Sequence, residues 1–165
     1  MRSGSLPLET LLAPEKVLAE LNRLFQMDQH DGNYFTMWFG VYELSSRTLR
    51  YATAGAPPAI AVGSGTSPEL LATDGQPLGM FDDVGYTSCS FAVPHGCRIL
   101  LYSDGAFELD LIDGRQWTLP QFTTMFTEMA ASSNLSLDEL GETLQSLTRS
   151  GVFDDDCSLV LLKFD

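Results

Sequence analysis

Two short apolar runs, each joined to acidic residues, restrict this chain more than any other feature in it. Ile99-Leu100-Leu101-Tyr102 is too short for an ordinary helix and suits a buried strand. It stops at Ser103-Asp104-Gly105, which is turn chemistry, so the Asp104 carboxylate is expected at the mouth of a sheet with a rigid strand behind it. The second run, Leu159-Val160-Leu161-Leu162, follows Asp154-Asp155-Asp156-Cys157-Ser158 directly. Adjacent carboxylates raise one another's pKa unless a cation or donors offset them, and an oxygen-loving divalent ion is the usual solution. An Asp-Gly pair after a strand is by itself only a turn. With three neighbouring acids ahead of a second strand, the two corners become a candidate metal centre.

The order and spacing of these corners carry a family resemblance. Ser103-Asp104-Gly105-Ala106-Phe107-Glu108 fits a strand ending in Ser/Thr-Asp-Gly-x-x-Glu, and Asp155-Asp156-Cys157-Ser158, about fifty positions on, fits Asp-Asp-x-Thr/Ser. Together they resemble the last two metal motifs of the SpoIIE-like branch of the PPM (type 2C) Ser/Thr protein phosphatases. By that resemblance Asp104 and Asp155 are metal ligands, Asp156 stands beside them, and Gly105 and Glu108 support the motif. Ala54-Gly55-Ala56-Pro57-Pro58 is similar to the family's Ala-Gly-His-x-Pro corner, with Gly55 in place and Ala56 where the family usually has His. Gln76-Pro77-Leu78-Gly79 resembles its Pro-Leu-Gly segment.

The resemblance implies an α+β fold: a PPM-type α-β-β-α sandwich of two antiparallel sheets flanked by helices. It implies hydrolysis of phosphoserine or phosphothreonine with two Mg²⁺ or Mn²⁺ ions, which lower the pKa of a shared water and neutralise charge on the phosphate. The implied partner is a phosphorylated protein, such as the anti-sigma-factor antagonist of bacterial partner switching, under a receiver or sensor domain of the response-regulator kind. The family's opening Gly-Asp strand and its Asp-x-x-Gly-His-Gly corner have no counterpart in residues 1–33. The chain therefore reads as lacking the first strands. It is either a fragment of a longer phosphatase or a catalytically degenerate PPM-like protein-interaction module. A Ca²⁺-stabilised structural domain built on Asp154, Asp155 and Asp156 is a third reading, against which the D-x-D-x-D-G ligand pattern is missing.

Composition narrows the partners. Nine Lys and Arg against 22 Asp and Glu give a net charge of −13, which repels nucleic acid and anionic membranes and favours cations or basic partners. With 165 residues, 44% of them hydrophobic, one domain with a real core is expected over residues 14–165, behind an exposed segment at 1–13. Met1-Arg2-Ser3-Gly4-Ser5 reads as a linker or an expression scar and not as a secretory signal. Cys89, Cys97 and Cys157 are odd in number and widely spaced, so they are expected as reduced thiols of a cytoplasmic protein, packed as small hydrophobes.

Periodicity places the elements. Pro14 to Phe25 is an amphipathic helix, and Tyr34 to Leu44 a long strand whose two apolar faces predict a central position. Thr48 to Ala54 returns as a hairpin, and Ala59 to Val62 and Glu69 to Ala72 form a second one around the turn Gly63 to Pro68. Tyr86 to Val93 and Cys97 to Tyr102 are further strands on either side of the turn Pro94-His95-Gly96, where His95 is an exposed turn residue. Leu111 to Gln116 is a turn. Helices follow over Leu119 to Ala131 and Leu135 to Leu147, the second with an apolar stripe of Leu137, Leu140, Leu144 and Leu147. In a PPM-like fold this helix pair is where regulation and a homodimer interface are expected.

Overall fold

A hairpin opens the sheet structure. β1 (Met37–Glu43) and β2 (Thr48–Ala54) pair antiparallel from Met37 opposite Ala54 to Glu43 opposite Thr48. β5 (Cys89–Ala92) adds to the far side of β2, giving the order β1-β2-β5. The computed structural model describes residues 7–132 and 135–165, so the linker or scar expected at residues 1–5 lies outside the described residues. Chain contacts separate two compact units, Met1–Pro58 with Leu71–Val93, and Ala59–Leu70 with Pro94–Asp165.

In the first unit, one helical turn, α1 (Leu8–Leu11), precedes α2 (Pro14–Leu24), which carries Pro at its first position, where a missing N–H costs nothing. Leu18 of α2 is fully buried against Ala52, Ala54, Leu78 and Tyr86, with Leu21, Phe35, Met37, Phe39 and Val84 around them. Asn22 is buried on the same helix. Its amide donates to the Phe81 carbonyl at 3.0 Å, and its side-chain oxygen accepts from the Gly79 N–H at 2.8 Å. Buried polar groups persist only when bonded in this way, and here the bonds lash the Pro77-Leu78-Gly79 segment to the helix.

The expected central strand is an edge strand. β1 has β2 as its only ladder partner among the described residues, it starts at Met37, and Tyr34 is half exposed. An apolar pattern reports coverage of faces, not the number of hydrogen-bonded neighbours. Much of that coverage comes from Trp38, whose ring stacks on Tyr51 at 5.5 Å and lies across Gly40, where any side chain would collide with it. The indole N–H donates to the Leu71 carbonyl at 2.9 Å. The expected strand at Tyr86 is also shorter, because Tyr86 is buried with its O–H on the Gln76 carbonyl and pairing with β2 begins only at Cys89.

In the second unit, β3 (Ala59–Val62), β4 (Glu69–Leu71, whose last residue counts with the first unit), β6 (Cys97–Tyr102) and β7 (Leu159–Phe164) take the order β4-β3-β6-β7. β6 pairs antiparallel with β3 and β7, from Cys97 opposite Phe164 to Tyr102 opposite Leu159. α3 (Leu119–Ala130) and α4 (Leu137–Leu147) bury Phe122, Phe126, Leu140 and Leu144 against Ile60, Val62, Leu100, Ala106 and Leu109. Leu137, expected in the apolar stripe, is exposed, since it sits in the first turn beyond the buried pair. Arg98 reaches the Ala130 and Ser132 carbonyls, satisfying groups that the end of α3 leaves open, and Lys163 donates to the Leu135 carbonyl at 2.9 Å.

α4 begins at Leu137 because Ser136 caps it, its hydroxyl accepting from the Glu139 N–H at 3.1 Å. Ser136→Ala is expected to cost about 1 kcal/mol, read as a lower urea midpoint at unchanged slope. No described helix is long and apolar enough to cross a membrane.

Candidate metal centre

β6 and β7 run side by side, so the residue that follows one and the residues that precede the other emerge at the same end of the sheet. Asp104 opens a single 3-10 turn, Asp104–Ala106, whose carboxylate accepts from the Gly105 N–H at 3.0 Å. The Phe107 and Glu108 N–H groups both donate to the Asp104 carbonyl at 2.9 Å, which closes the corner expected from Ser-Asp-Gly.

Three hydrogen bonds join this corner to the acid run. The Ser103 hydroxyl donates to the Asp156 carbonyl at 2.8 Å and accepts from the Ser158 N–H at 2.9 Å. The Ser103 N–H donates to the Ser158 carbonyl at 3.0 Å, extending the β6–β7 ladder by one step. Gly105 is buried, and a Cβ there would lie 2.7 Å from the Asp156 carbonyl oxygen and 3.3 Å from that of Asp155. Glycine stands at this position because backbone passes where a side chain would be.

The structure thus brings the Asp104 corner and the Asp155-Asp156 segment into contact through their backbones, and leaves the carboxylates of Asp104, Asp155 and Asp156 exposed. No ion pair from Lys or Arg reaches them among the described residues. Asp155 accepts from the Asp156 N–H at 2.7 Å. Glu108 is exposed one turn past Asp104. Gly55 belongs to the first unit, where its φ of +66° and an N–H donating to the Gly75 carbonyl at 2.8 Å make it a turn glycine; Ala56 follows it. His95 is exposed in its turn. Among the described residues no three His, Cys, Asp or Glu side chains group closely enough to cage an ion. By donor type, the carboxylates of Asp104, Asp155 and Asp156 fit a hard divalent cation, with water completing the coordination.

Tyr102 and Phe107, on either side of the Ser103–Ala106 corner in sequence, pack against the apolar core. Tyr102 meets Phe107 and Phe122 edge to face at 5.9 and 4.7 Å, and burial of its hydroxyl pushes that group's pKa up, so it stays neutral. Cys157 is half-buried between Asp156 and Ser158, and burial raises its thiol pKa too. None of the three cysteines forms a disulfide; Cys97 is buried as expected, whereas Cys89 lies exposed on β5 rather than packed. Iodoacetamide at neutral pH is therefore expected to label Cys89 ahead of Cys157 and Cys97, a ranking that peptide mass spectrometry checks. Ser103 is the residue that sequence reasoning undervalued. It was legible as turn chemistry, while its bonds to residues more than fifty positions away were not.

The family described as "Stage II sporulation protein E (SpoIIE)" matches residues 5–165. Phosphoserine phosphatase RsbP of Bacillus subtilis (strain 168) is 34% identical over 101 residues, covering 59% of this chain and 25% of RsbP. Phosphoserine phosphatase RsbU of the same organism is 27% identical over 159 residues, covering 95% of this chain and 47% of RsbU. The chain thus spans about half or less of the relatives it matches. The RsbU and RsbW domains of Rv1364c from Mycobacterium tuberculosis align over 91% of this chain and 42% of that one, with a TM-score of 0.69 and 28% identity. The Mn-presoaked phosphatase domain of SpoIIE from Bacillus subtilis aligns over 100% of this chain and 76% of that one, with a TM-score of 0.63; at 18% identity it speaks for the fold alone. The α+β architecture of two antiparallel sheets with helices is that of PPM phosphatase domains, and the chain belongs to the SpoIIE family of PPM-type phosphatases.

Proposed function

We propose that this chain carries the later part of a metal-dependent phosphoserine/phosphothreonine protein phosphatase domain, over residues 14–165, with residues 1–13 outside it. The observation that carries the reading is the stitching of two acidic corners at one end of one sheet, through Ser103 and across Gly105. Asp104 and Asp155, with Asp156 beside them, hold Mg²⁺ or Mn²⁺ in this reading, the hard divalent ions that carboxylate oxygens suit. A bound divalent ion supplies an acidified water and neutralises phosphate charge. The chain's own contribution is placement: the β6 and β7 ends bring the two acidic segments to one end of the sheet, and Gly105 lets their backbones approach closely.

The substrate class is a phosphorylated protein, the kind on which the matched relatives, phosphoserine phosphatases by name, would act. An anti-sigma-factor antagonist in cytoplasmic partner switching fits it. The negative charge of the chain suits a substrate site that gathers cations first, since a bare phosphoprotein would be repelled. A phosphoserine peptide with Mn²⁺ is expected to release phosphate above the metal-only background, and to stop when EDTA is added. Release at background level, by a folded chain with Mn²⁺ present, would contradict catalysis by these residues.

A degenerate interaction module is the second reading. The absence of a three-acid cage among the described residues, and Ala56 at the position where the resemblance expects His, favour it. It expects partner binding that is indifferent to Asp104→Asn.

A further inference from the structure

Ser103 turns both its hydroxyl donor and an acceptor lone pair to the other corner. A hydroxyl offers one donor and can accept as well. Here the donor goes to the Asp156 carbonyl at 2.8 Å, and the oxygen takes the Ser158 N–H at 2.9 Å. The two partners flank Cys157, so a single side chain grips both ends of the three-residue step that leads from the acids into β7. Gly105 limits the same step as well, because the Asp156 carbonyl lies where its Cβ would be.

This arrangement is not needed to hold the fold. The β6–β7 ladder runs from Cys97 to Tyr102 without it. Ser103 is only half-buried, while Asp156 and Ser158 are exposed, so water can take over the abandoned groups and the loss in stability is small. What the hydroxyl does fix is the distance from Asp104, the next residue in the chain, to the Asp155-Asp156 backbone.

We propose that Ser103 is a positioning residue, a clasp that sets the spacing of the Asp104 and Asp155-Asp156 carboxylates and so sets the affinity for a divalent cation. The inference rests on the metal reading above. Groups that orient ligands without touching the metal are worth tenfold to hundredfold in affinity. Ser103→Ala removes both bonds and no ligand. Ser103→Thr keeps the hydroxyl.

The test is calorimetric titration of Mn²⁺ into wild type, Ser103→Ala and Ser103→Thr, with a thermal melt of each in EDTA. Expected are a Ser103→Ala affinity weaker by about tenfold or more, recovery in Ser103→Thr, and metal-free melts close together. If Ser103→Ala does not fold, Gly105→Ala takes its place, since its Cβ pushes the Asp156 carbonyl away while leaving the hydroxyl intact; the same weakening is expected. Wild-type affinity in the variant measured would overturn the clasp. A wild-type chain that takes up no Mn²⁺ would overturn the metal reading and the proposal with it, and is told apart from failure of the clasp alone, in which wild type and variant bind equally.

Discussion

Gly79→Ala is expected to destabilise the first unit by about 4 kcal/mol, among the largest effects of any single methyl group in this chain. Gly79 has a φ of +85°, where an L side chain costs roughly 1–2 kcal/mol. Its added Cβ would also fall on the carbonyl oxygen of Phe25, which is backbone and cannot swing aside. The same residue donates to buried Asn22 at 2.8 Å and accepts from the Met27 N–H at 2.9 Å, so moving it breaks what ties the segment to α2. Gly32→Ala separates the two causes. Its φ is +79° but nothing lies within 4 Å of a new Cβ, and it should cost only the conformational part, about 1 kcal/mol. Equal urea midpoints for the two variants would remove the steric argument.

Asp104→Asn is the counterpart at the site. Among the described residues, its carboxylate takes one hydrogen bond, from the Gly105 N–H, which an amide oxygen accepts equally well, and the side chain is exposed. The variant should therefore melt with the wild type. What it loses is the charge proposed above to hold a hard cation. If outer groups are worth up to hundredfold, a direct ligand should be worth at least about 100-fold, so Mn²⁺-dependent phosphate release is expected to fall by that factor or more. An unchanged rate in the folded variant would remove Asp104 from the reaction.

The site was more legible in the sequence than the sheet around it. Cys97 to Tyr102 forms the strand that its apolar run predicts, and Asp104 turns where Ser-Asp-Gly says it should, because both follow from neighbours in the chain. The position of β1 was not legible. Residues 37–43 are apolar on both faces, but Trp38 lying over Gly40 and stacking on Tyr51 supplies cover that a central position would otherwise explain. The end of the expected strand at Tyr86 was hidden for a similar reason: its ring and hydroxyl are used against Gln76 and the α2 core, while ladder pairing waits for Cys89. The clasp was invisible as well, since a serine beside an aspartate looks the same whether its hydroxyl meets water or a carbonyl 53 residues away.

Whether the two stitched corners hold a divalent cation, as proposed, is decided by calorimetric titration of Mn²⁺ into the wild-type chain and into the double variant Asp104→Asn with Asp155→Asn. Saturable uptake by the wild type that disappears in an equally folded double variant is the predicted result. Uptake that survives both substitutions, or none in the folded wild type, would contradict it.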